Sequence, residues 1–177
     1  MARTHVNGAE DLPSGAGSYG LLIQIPSLTR IGIARRPPTD LPPGPYFYAG
    51  SANGPGGIRA RVRRHLKKAR AVRWHVDRLT NLFGVDAVVA FPGGRECGLV
   101  AAARAWRGTT VPIPGFGSSD CRSCPAHLLR LPNGLRTDDL AKPSRLADLA
   151  KAAKSHGAIV WLKPGADKQR RFQAGTD

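Results

Sequence analysis

The chain has 177 residues and is 41% hydrophobic, which is enough for one folded domain with a hydrophobic core and too little for two large ones. Its 27 lysines and arginines outnumber its 12 acidic residues by 15, and so large an excess predicts a polyanionic partner. No segment has the roughly 18 apolar residues of a membrane span, and the start of the chain lacks the apolar core of a secretory signal. The number of cysteines, three, is odd, which argues against a disulfide framework.

The N-terminal half of the chain is predicted to hold three strands after a flexible, polar leader. An apolar, β-prone run ends at Pro26, and the next such run is a candidate hairpin partner for it. The third strand follows a proline-rich loop, and its alternation places Tyr46, Tyr48 and Gly50 on one face. These segments are residues 1–16 for the leader and 20–25, 30–34 and 46–50 for the strands.

A basic helix is predicted to start at Ile58, after a glycine-rich turn at 54–57. Its apolar residues recur at spacings of four, four and three, which is the pattern of one buried helix face. Arg61 and His65 lie one turn apart beside that face, so we expect them to reach the same cleft. The other basic residues of the segment are predicted nucleic-acid contacts: Arg59, Arg63, Arg64, Lys67, Lys68 and Arg70.

The C-terminal half is predicted to complete the same domain. The sequence shows no internal repeat and no linker, so residues 17–163 are expected to form a single domain and residues 164–177 a disordered tail. The predicted elements are helices at 74–83, 96–106 and 138–156 and strands at 85–91, 127–131 and 158–162.

All three tyrosines lie in two short segments, and the second segment leads almost directly into the basic helix. Positive charge favours a phenolate, so Arg61 and His65 are predicted to lower the pKa of the nearby tyrosines, Tyr19 and Tyr48, toward a range useful for proton transfer. Glu96 opens a later helix, where its carboxylate could hold a metal ion. Each residue alone also has a structural explanation, because strand tyrosines pack in cores and a helix dipole favours an acid in its first turn.

The order of these residues resembles that of the GIY-YIG nuclease family. The resemblance is greatest to a small divergent branch that is labelled as a domain of unknown function, whose members occur alone or joined to a DNA-repair glycosylase. Ser18 and Ala49 stand where the family has the isoleucines that name its motifs, and the turn at 54–57 is longer. The resemblance covers about residues 17–130, and its motifs are GSY at 17–19, YAGSA at 48–52, RVRRH at 61–65, WHVD at 74–77, EC at 96–97 and GFGSSDC at 115–121.

The resemblance implies an α+β fold, with a small and mostly antiparallel central sheet flanked by helices, and a metal-dependent nuclease that acts on DNA, with DNA repair as a candidate process. In that family two tyrosines position or deprotonate the attacking water, which implies this role for Tyr19 and Tyr48. Arg61 matches the arginine that stabilises the phosphate, and His65 lies where the family has tyrosine or histidine. Glu96 matches the glutamate that binds the metal, which implies Mg²⁺ or Mn²⁺ as the cofactor.

Three further polar residues are candidates for supporting roles near this site. Asp77 follows His75 by two residues and could orient its ring, although a structural role for this pair is favoured. Asp120 is either a group on the metal or phosphate side of the site or a turn residue.

The cysteines form a weaker pattern. Cys121, Cys124 and His127 follow each other at intervals of three, and Cys97 could complete a set of four zinc ligands. A strong zinc signature would show a second close pair, however, and a free cysteine is also a common small buried residue. We therefore expect magnesium or manganese rather than zinc.

The sequence leaves other functions open. A non-catalytic module could keep the basic surface and bind DNA or RNA without turnover, and a zinc-stabilised interaction domain is a third alternative. For either nucleic-acid function we expect a cytoplasmic protein, associated with the nucleoid if it binds DNA, and no membrane partner.

Overall fold

The strands and helices are taken from a computed structural model, which describes residues 3–33, 36–67 and 71–164. The strands are β1 (Arg3–Val6), β2 (Gly17–Ile25), β3 (Thr29–Ile31), β4 (Thr39–Leu41), β5 (Gly44–Ser51), β6 (Ala87–Pro92), β7 (Leu128–Arg130) and β8 (Ala158–Leu162). The helices are α1 (Gly57–Leu66), α2 (Asp77–Phe83), α3 (Glu96–Arg104), α4 (Thr137–Leu140) and α5 (Pro143–Ala153), and a 3-10 turn covers Ala9–Asp11.

Six strands form the central sheet in the order β1-β8-β6-β2-β5-β7, while β3 and β4 form a separate two-stranded ribbon. The β1–β8 pair is parallel, and the other neighbouring pairs are antiparallel. The predicted α+β fold with a mostly antiparallel central sheet is therefore confirmed. In this order β2 lies between β5 and β6, and Tyr19 pairs with Gly50 on one side and with Ala90 on the other.

The two faces of the sheet pack against different helices. The face with Tyr46 and Tyr48 packs against α1 and α2, whereas the face with Phe47 packs against α3, α4 and α5. The predicted alternation along β5 is therefore confirmed. Ile58 and Val62 of α1 are fully buried in the first of these clusters, and each contributes about 2 kcal/mol of apolar burial.

The predicted hairpin between 20–25 and 30–34 does not form. β3 pairs with β4, and both edges of β2 are already hydrogen-bonded, to β5 and to β6. A strand that already has two neighbours offers no free backbone groups to a third. The last residue of the predicted partner, residue 34, lies outside the described residues.

Strands β1 and β8 form a pair that the sequence did not predict. β1 lies within the segment predicted as a leader, and it pairs in parallel with β8, so residues 3–6 belong to the sheet. The predicted helix at 138–156 is two helices, because Pro143 has no backbone N–H to continue a helix and instead starts α5. The predicted tail from 165 onward lies outside the described residues.

The described part of the chain holds no helix with the length and apolar character needed to cross a membrane.

Candidate active site

A pocket of about 280 Å³ lies where the beginning of β2 and the end of β5 meet α1. All five residues that the sequence predicts for catalysis line it, together with Asp120 and five residues that the sequence analysis did not place there. The predicted residues are Tyr19, Tyr48, Arg61, His65 and Glu96, and the additional ones are Ser51, Trp74, Gly117, Cys121 and His127.

A chain of three buried polar side chains leads from the pocket into the protein. The Oη of Tyr19 lies 2.9 Å from Nε2 of His65, and Nδ1 of His65 lies 3.5 Å from Oδ1 of Asp77. Because the Asp77 carboxylate faces Nδ1, that nitrogen carries the proton, and Nε2 is left to accept from the Tyr19 hydroxyl. Tyr19 is 3% exposed and His65 is 1% exposed, so this chain is shielded from solvent.

Asp77 is anchored by several donors at the start of α2. Its Oδ2 accepts hydrogen bonds from the backbone N–H groups of Arg73 and Trp74, at 2.8 and 3.0 Å, and from Nη2 of Arg64 at 2.9 Å. Burial by itself would raise the pKa of Asp77, but the contact with His65 and these hydrogen bonds outweigh it and hold the pKa well below its usual value. Asp77 is therefore a fixed negative charge behind His65.

This arrangement corrects the predicted pairing of Asp77 with His75. Nδ1 of His75 accepts a hydrogen bond from the backbone N–H of Gly117 at 3.0 Å, and the imidazole packs against Phe116. Burial, with the charges of Arg78 and Arg36, lowers the pKa of His75, so a neutral ring is favoured there. His75 thus fixes the loop that covers the pocket, whereas Asp77 orients His65.

The predicted effect of positive charge on the tyrosines is wrong. Burial raises the pKa of Tyr48 to about 12 and raises the pKa of Tyr19 well above its usual 10.0, and Arg61 lowers both only in part. Desolvation disfavours the phenolate more strongly than one arginine favours it. Both phenols are therefore neutral at physiological pH, and Tyr19 can act on a proton only by passing its own to His65.

Gly50 makes room for Tyr19. The two residues are directly opposite in the β2–β5 pairing, and the Tyr19 ring and hydroxyl occupy the space that a Cβ at position 50 would need. Any larger residue there would push the tyrosine away from His65. This packing gives a physical reason for a glycine two residues after Tyr48.

Arg61 is held in place by an aromatic ring. Its guanidinium lies 4.5 Å from the centroid of Trp74, and the guanidinium of Arg64 lies 4.6 Å from the same centroid. Such cation–π contacts orient the planar group without neutralising its charge. Trp74 lines the pocket, whereas the sequence marks it only as the first residue of a predicted helix and of the WHVD motif.

The predicted nucleic-acid contacts on α1 divide into two groups. Arg63 and Lys67 are exposed and line a shallow groove on the outer side of the helix, to which Arg64 also contributes. Arg64 is engaged with Asp77, and Nε of Arg59 donates a hydrogen bond to the carbonyl of Leu12 at 2.7 Å, so both stabilise the fold. Lys68 and Arg70 lie outside the described residues.

Two carboxylates line the pocket. Glu96 is the first residue of α3 and is half-buried, and Asp120 lies exposed in the loop between α3 and β7. Magnesium is commonly bound by one or two carboxylates, with water and substrate phosphates as the other ligands. Among the described residues, however, the one group of three or more such metal-binding side chains is made of cysteines and a histidine.

The cysteines are closer together than the sequence predicted. The sulfurs of Cys97, Cys121 and Cys124 and an imidazole nitrogen of His127 all lie within 4.8 Å of one another. This Cys3His set is compatible with zinc, so the expectation that disfavoured a zinc site is corrected. The ligand that the Cys121–Cys124 pair lacks in the local sequence is Cys97. It lies at the start of α3, and the fold places it beside this pair.

Comparison with known proteins identifies one family. Residues 18–146 match the family model described as a domain of unknown function, DUF123. Neither the curated proteins nor the solved structures contain a significant match to the chain.

Proposed function

The chain belongs to the DUF123 family, and we propose that it is a metal-dependent, nuclease-like enzyme that hydrolyses phosphodiester bonds in DNA. The observation that carries the proposal is the Tyr19–His65–Asp77 chain, which opens into a pocket that also presents Arg61 and Glu96. A proton acceptor, a phosphate-binding cation and a carboxylate in one pocket are the groups that phosphodiester hydrolysis requires. The resemblance to the GIY-YIG nucleases adds support, since the same residues carry it.

The attacking water is activated through Tyr19. The phenol oxygen faces the pocket and accepts a proton from the water while its own proton moves 2.9 Å to Nε2 of His65. The imidazolium that forms is stabilised by the Asp77 carboxylate behind it. This relay needs no free phenolate, which agrees with the raised pKa of Tyr19.

Arg61 and Glu96 act on the phosphate. Arg61 is stacked on Trp74, and its fork of N–H donors binds the non-bridging oxygens as negative charge builds up on them. Glu96, with Asp120 in the same pocket, would hold Mg²⁺ or Mn²⁺, and the bound ion would supply charge neutralisation at the leaving oxygen. Tyr48 lines the same pocket, where its neutral hydroxyl can position the water or a phosphate oxygen.

The test is a cleavage assay on duplex, single-stranded and branched DNA and on RNA, with Mg²⁺, with Mn²⁺ and with a chelator. We expect the wild type to cut DNA only when a divalent ion is present. Glu96→Gln and Arg61→Ala should each lower the single-turnover rate about 100-fold or more, as loss of one charge-stabilising group typically does.

Two exposed residues on other helices provide matched controls. Arg104→Ala on α3 and Asp148→Asn on α5 remove the same charges away from the pocket and should leave cleavage unchanged. If the wild type binds DNA but cuts none of these substrates with either ion, the protein is a non-catalytic DNA-binding module and the proposal is wrong.

A further inference from the structure

We propose that Cys97, Cys121, Cys124 and His127 bind one zinc ion, which ties the start of α3 to the loop between α3 and β7 that lines the pocket. The four ligand atoms come from two segments that are distant in the sequence, and they lie within 4.8 Å of one another. Three thiolates and one imidazole are a common ligand set of structural zinc. This site does not depend on the proposed nuclease activity.

The sulfur positions suit coordination better than a disulfide. Tetrahedral zinc with Zn–S bonds of about 2.3 Å places its sulfurs about 3.8 Å apart. The sulfurs of Cys97 and Cys121 are 3.5 Å apart, whereas a disulfide requires about 2.05 Å. For this pair of sulfurs, zinc binding needs a change in separation of about 0.3 Å, whereas a disulfide needs a change of more than about 1 Å.

The surroundings of the four residues also match a metal site. The backbone N–H of Cys124 donates to Sγ of Cys121 at 3.3 Å, which is the kind of hydrogen bond that stabilises a metal-bound thiolate. Nε2 of His127 is buried and has no hydrogen-bond partner within the described part of the chain. Coordination would satisfy an imidazole that is only 5% exposed.

An ion can reach the cluster from two sides. Cys121 and His127 line the catalytic pocket, whereas Cys97 and Cys124 line a separate surface pocket between α3 and the loop. The three sulfurs are only partly buried. The cluster thus separates the two pockets and is accessible for metal exchange.

The position of the cluster gives the zinc a defined structural role. Cys97 follows Glu96 directly, and Cys121 follows Asp120 directly, so the ion is bound by the immediate neighbours of both pocket carboxylates. Zinc would therefore hold the two chain segments that carry these carboxylates beside the same pocket. The ion itself makes no contact with the reacting phosphate in this arrangement.

The metal is tested on the full chain, purified anaerobically with a thiol reductant. We expect elemental analysis to find one equivalent of zinc. Titration of the three thiols per chain with a mercurial reagent should release this zinc, and a chromophoric chelator measures the released ion. Cobalt should replace it and give thiolate charge-transfer absorption, together with the intense visible bands of tetrahedral Co²⁺.

Single variants assign the ligands. Cys97→Ser and His127→Ala should weaken zinc binding at least tenfold, and Cys97→Ser should also lower the charge-transfer intensity of the cobalt form by about a third. Ser119→Ala, exposed in the same loop, and His156→Ala, exposed before β8, should bind as the wild type does. Because a ligand variant can fail to fold, the thiol titration of the wild type stands as the independent measurement.

Any one of three results would contradict the zinc site. The first is a zinc content below about a tenth of an equivalent after anaerobic reconstitution, and the second is a cobalt spectrum without thiolate bands. The third is a Cys97–Cys121 disulfide in protein kept under reductant.

Hydrogen exchange tests the structural role of the zinc. Removal of the ion should speed exchange about tenfold or more in residues 115–127 and in the first turn of α3, but not in β2 or β5. A loss of zinc without this local change would contradict that role. None of these measurements requires cleavage, so a protein that binds zinc and cuts no DNA would refute the proposed function alone.

Discussion

At the residue scale, the behaviour of Tyr19 depends on which of two opposing effects is larger. Arg61 favours its phenolate, yet the ring is 3% exposed and burial raises its pKa well above 10.0. The hydrogen bond to His65, at 2.9 Å, offers the proton a different route. Tyr19 is consequently suited to relay a proton and not to store a negative charge.

Removal of the Tyr19 hydroxyl should separate this role from simple packing. Tyr19→Phe leaves Nε2 of His65 buried without its partner, which should cost about 1–3 kcal/mol of stability. The single-turnover cleavage rate should fall about 10²- to 10⁴-fold, the range expected for loss of proton transfer. Chemical denaturation and rapid-quench cleavage measure the two effects.

Tyr46→Phe is the matched control, because the Tyr46 hydroxyl also donates a hydrogen bond, to the carbonyl of Pro42, but does not reach the pocket. It should lose stability and keep its cleavage rate. If Tyr19→Phe retains the wild-type rate when fully folded, the relay is not used.

Asp77 should make the folded state sensitive to acid. Its pKa in the folded protein is below its usual 3.8, so it stabilises the fold above that pH and loses this effect as pH falls toward the folded value. At pH 7, Asp77→Asn should destabilise the protein by about 3 kcal/mol, as loss of one partner of a buried ion pair does.

The difference between wild type and Asp77→Asn isolates this residue from the other acids. It should stay constant from pH 7 to about pH 5 and then shrink below about pH 4, by up to about 1.4 kcal/mol per pH unit. Urea denaturation at several pH values provides the measurement. A difference that grows as pH falls would show that the carboxylate is not stabilised by its neighbours.

At the scale of strands and helices, sequence periodicity predicted those parts of the site whose geometry is set within a single strand or helix. Alternation along β5 placed Tyr48 and Gly50 on one face, and the four-residue spacing of Arg61 and His65 turned both toward the cleft. These inferences succeed because a period of two or 3.6 residues is a local property of the backbone.

The sequence could not predict contacts that depend on tertiary packing. Asp77 is two residues from His75 in the chain but reaches His65, because α2 packs beside α1. Cys97 lies 24 residues before Cys121 and meets it only through the placement of α3. The degree of burial of Tyr19, which reverses its expected pKa shift, likewise follows from the whole core.

A substitution at Gly50 tests whether the close packing of β2 against β5 is needed to keep the Tyr19 ring in place. Gly50→Ala places a methyl group where the Tyr19 ring lies, so the ring must move or the strands must separate. Overpacking of this kind typically costs about 1–3 kcal/mol, and cleavage should fall as strongly as in Tyr19→Phe. Thermal denaturation and the cleavage assay provide the two readouts.

Gly32→Ala is the appropriate comparison, because no atom lies within 4 Å of a Cβ at that position. It should leave both stability and cleavage within error of the wild type. Full activity of Gly50→Ala would mean that the position of the Tyr19 ring is unimportant.

At the scale of the whole molecule, the net charge of +15 is divided between the fold and the surface. Arg64 is paired with Asp77, and Arg59 is bonded to the backbone of Leu12, so these charges stabilise the domain. Arg63 is instead exposed on the same helix. The number of basic residues in the sequence is therefore larger than the number of positive charges available to contact a phosphate backbone.

The salt dependence of DNA binding should reveal this division. If about five phosphates are neutralised, the slope of log K against log salt concentration should be about −4.5 for duplex DNA. Arg63→Gln should make the slope shallower by about 0.9, because an exposed cation that contacts a phosphate is removed. Arg64→Gln should lower the free energy of unfolding but leave the slope unchanged, since its guanidinium is engaged with Asp77. Fluorescence anisotropy with a catalytically inactive Glu96→Gln background, from about 50 to 300 mM salt, measures the slopes. An unchanged slope for Arg63→Gln would show that the DNA does not contact this side of α1.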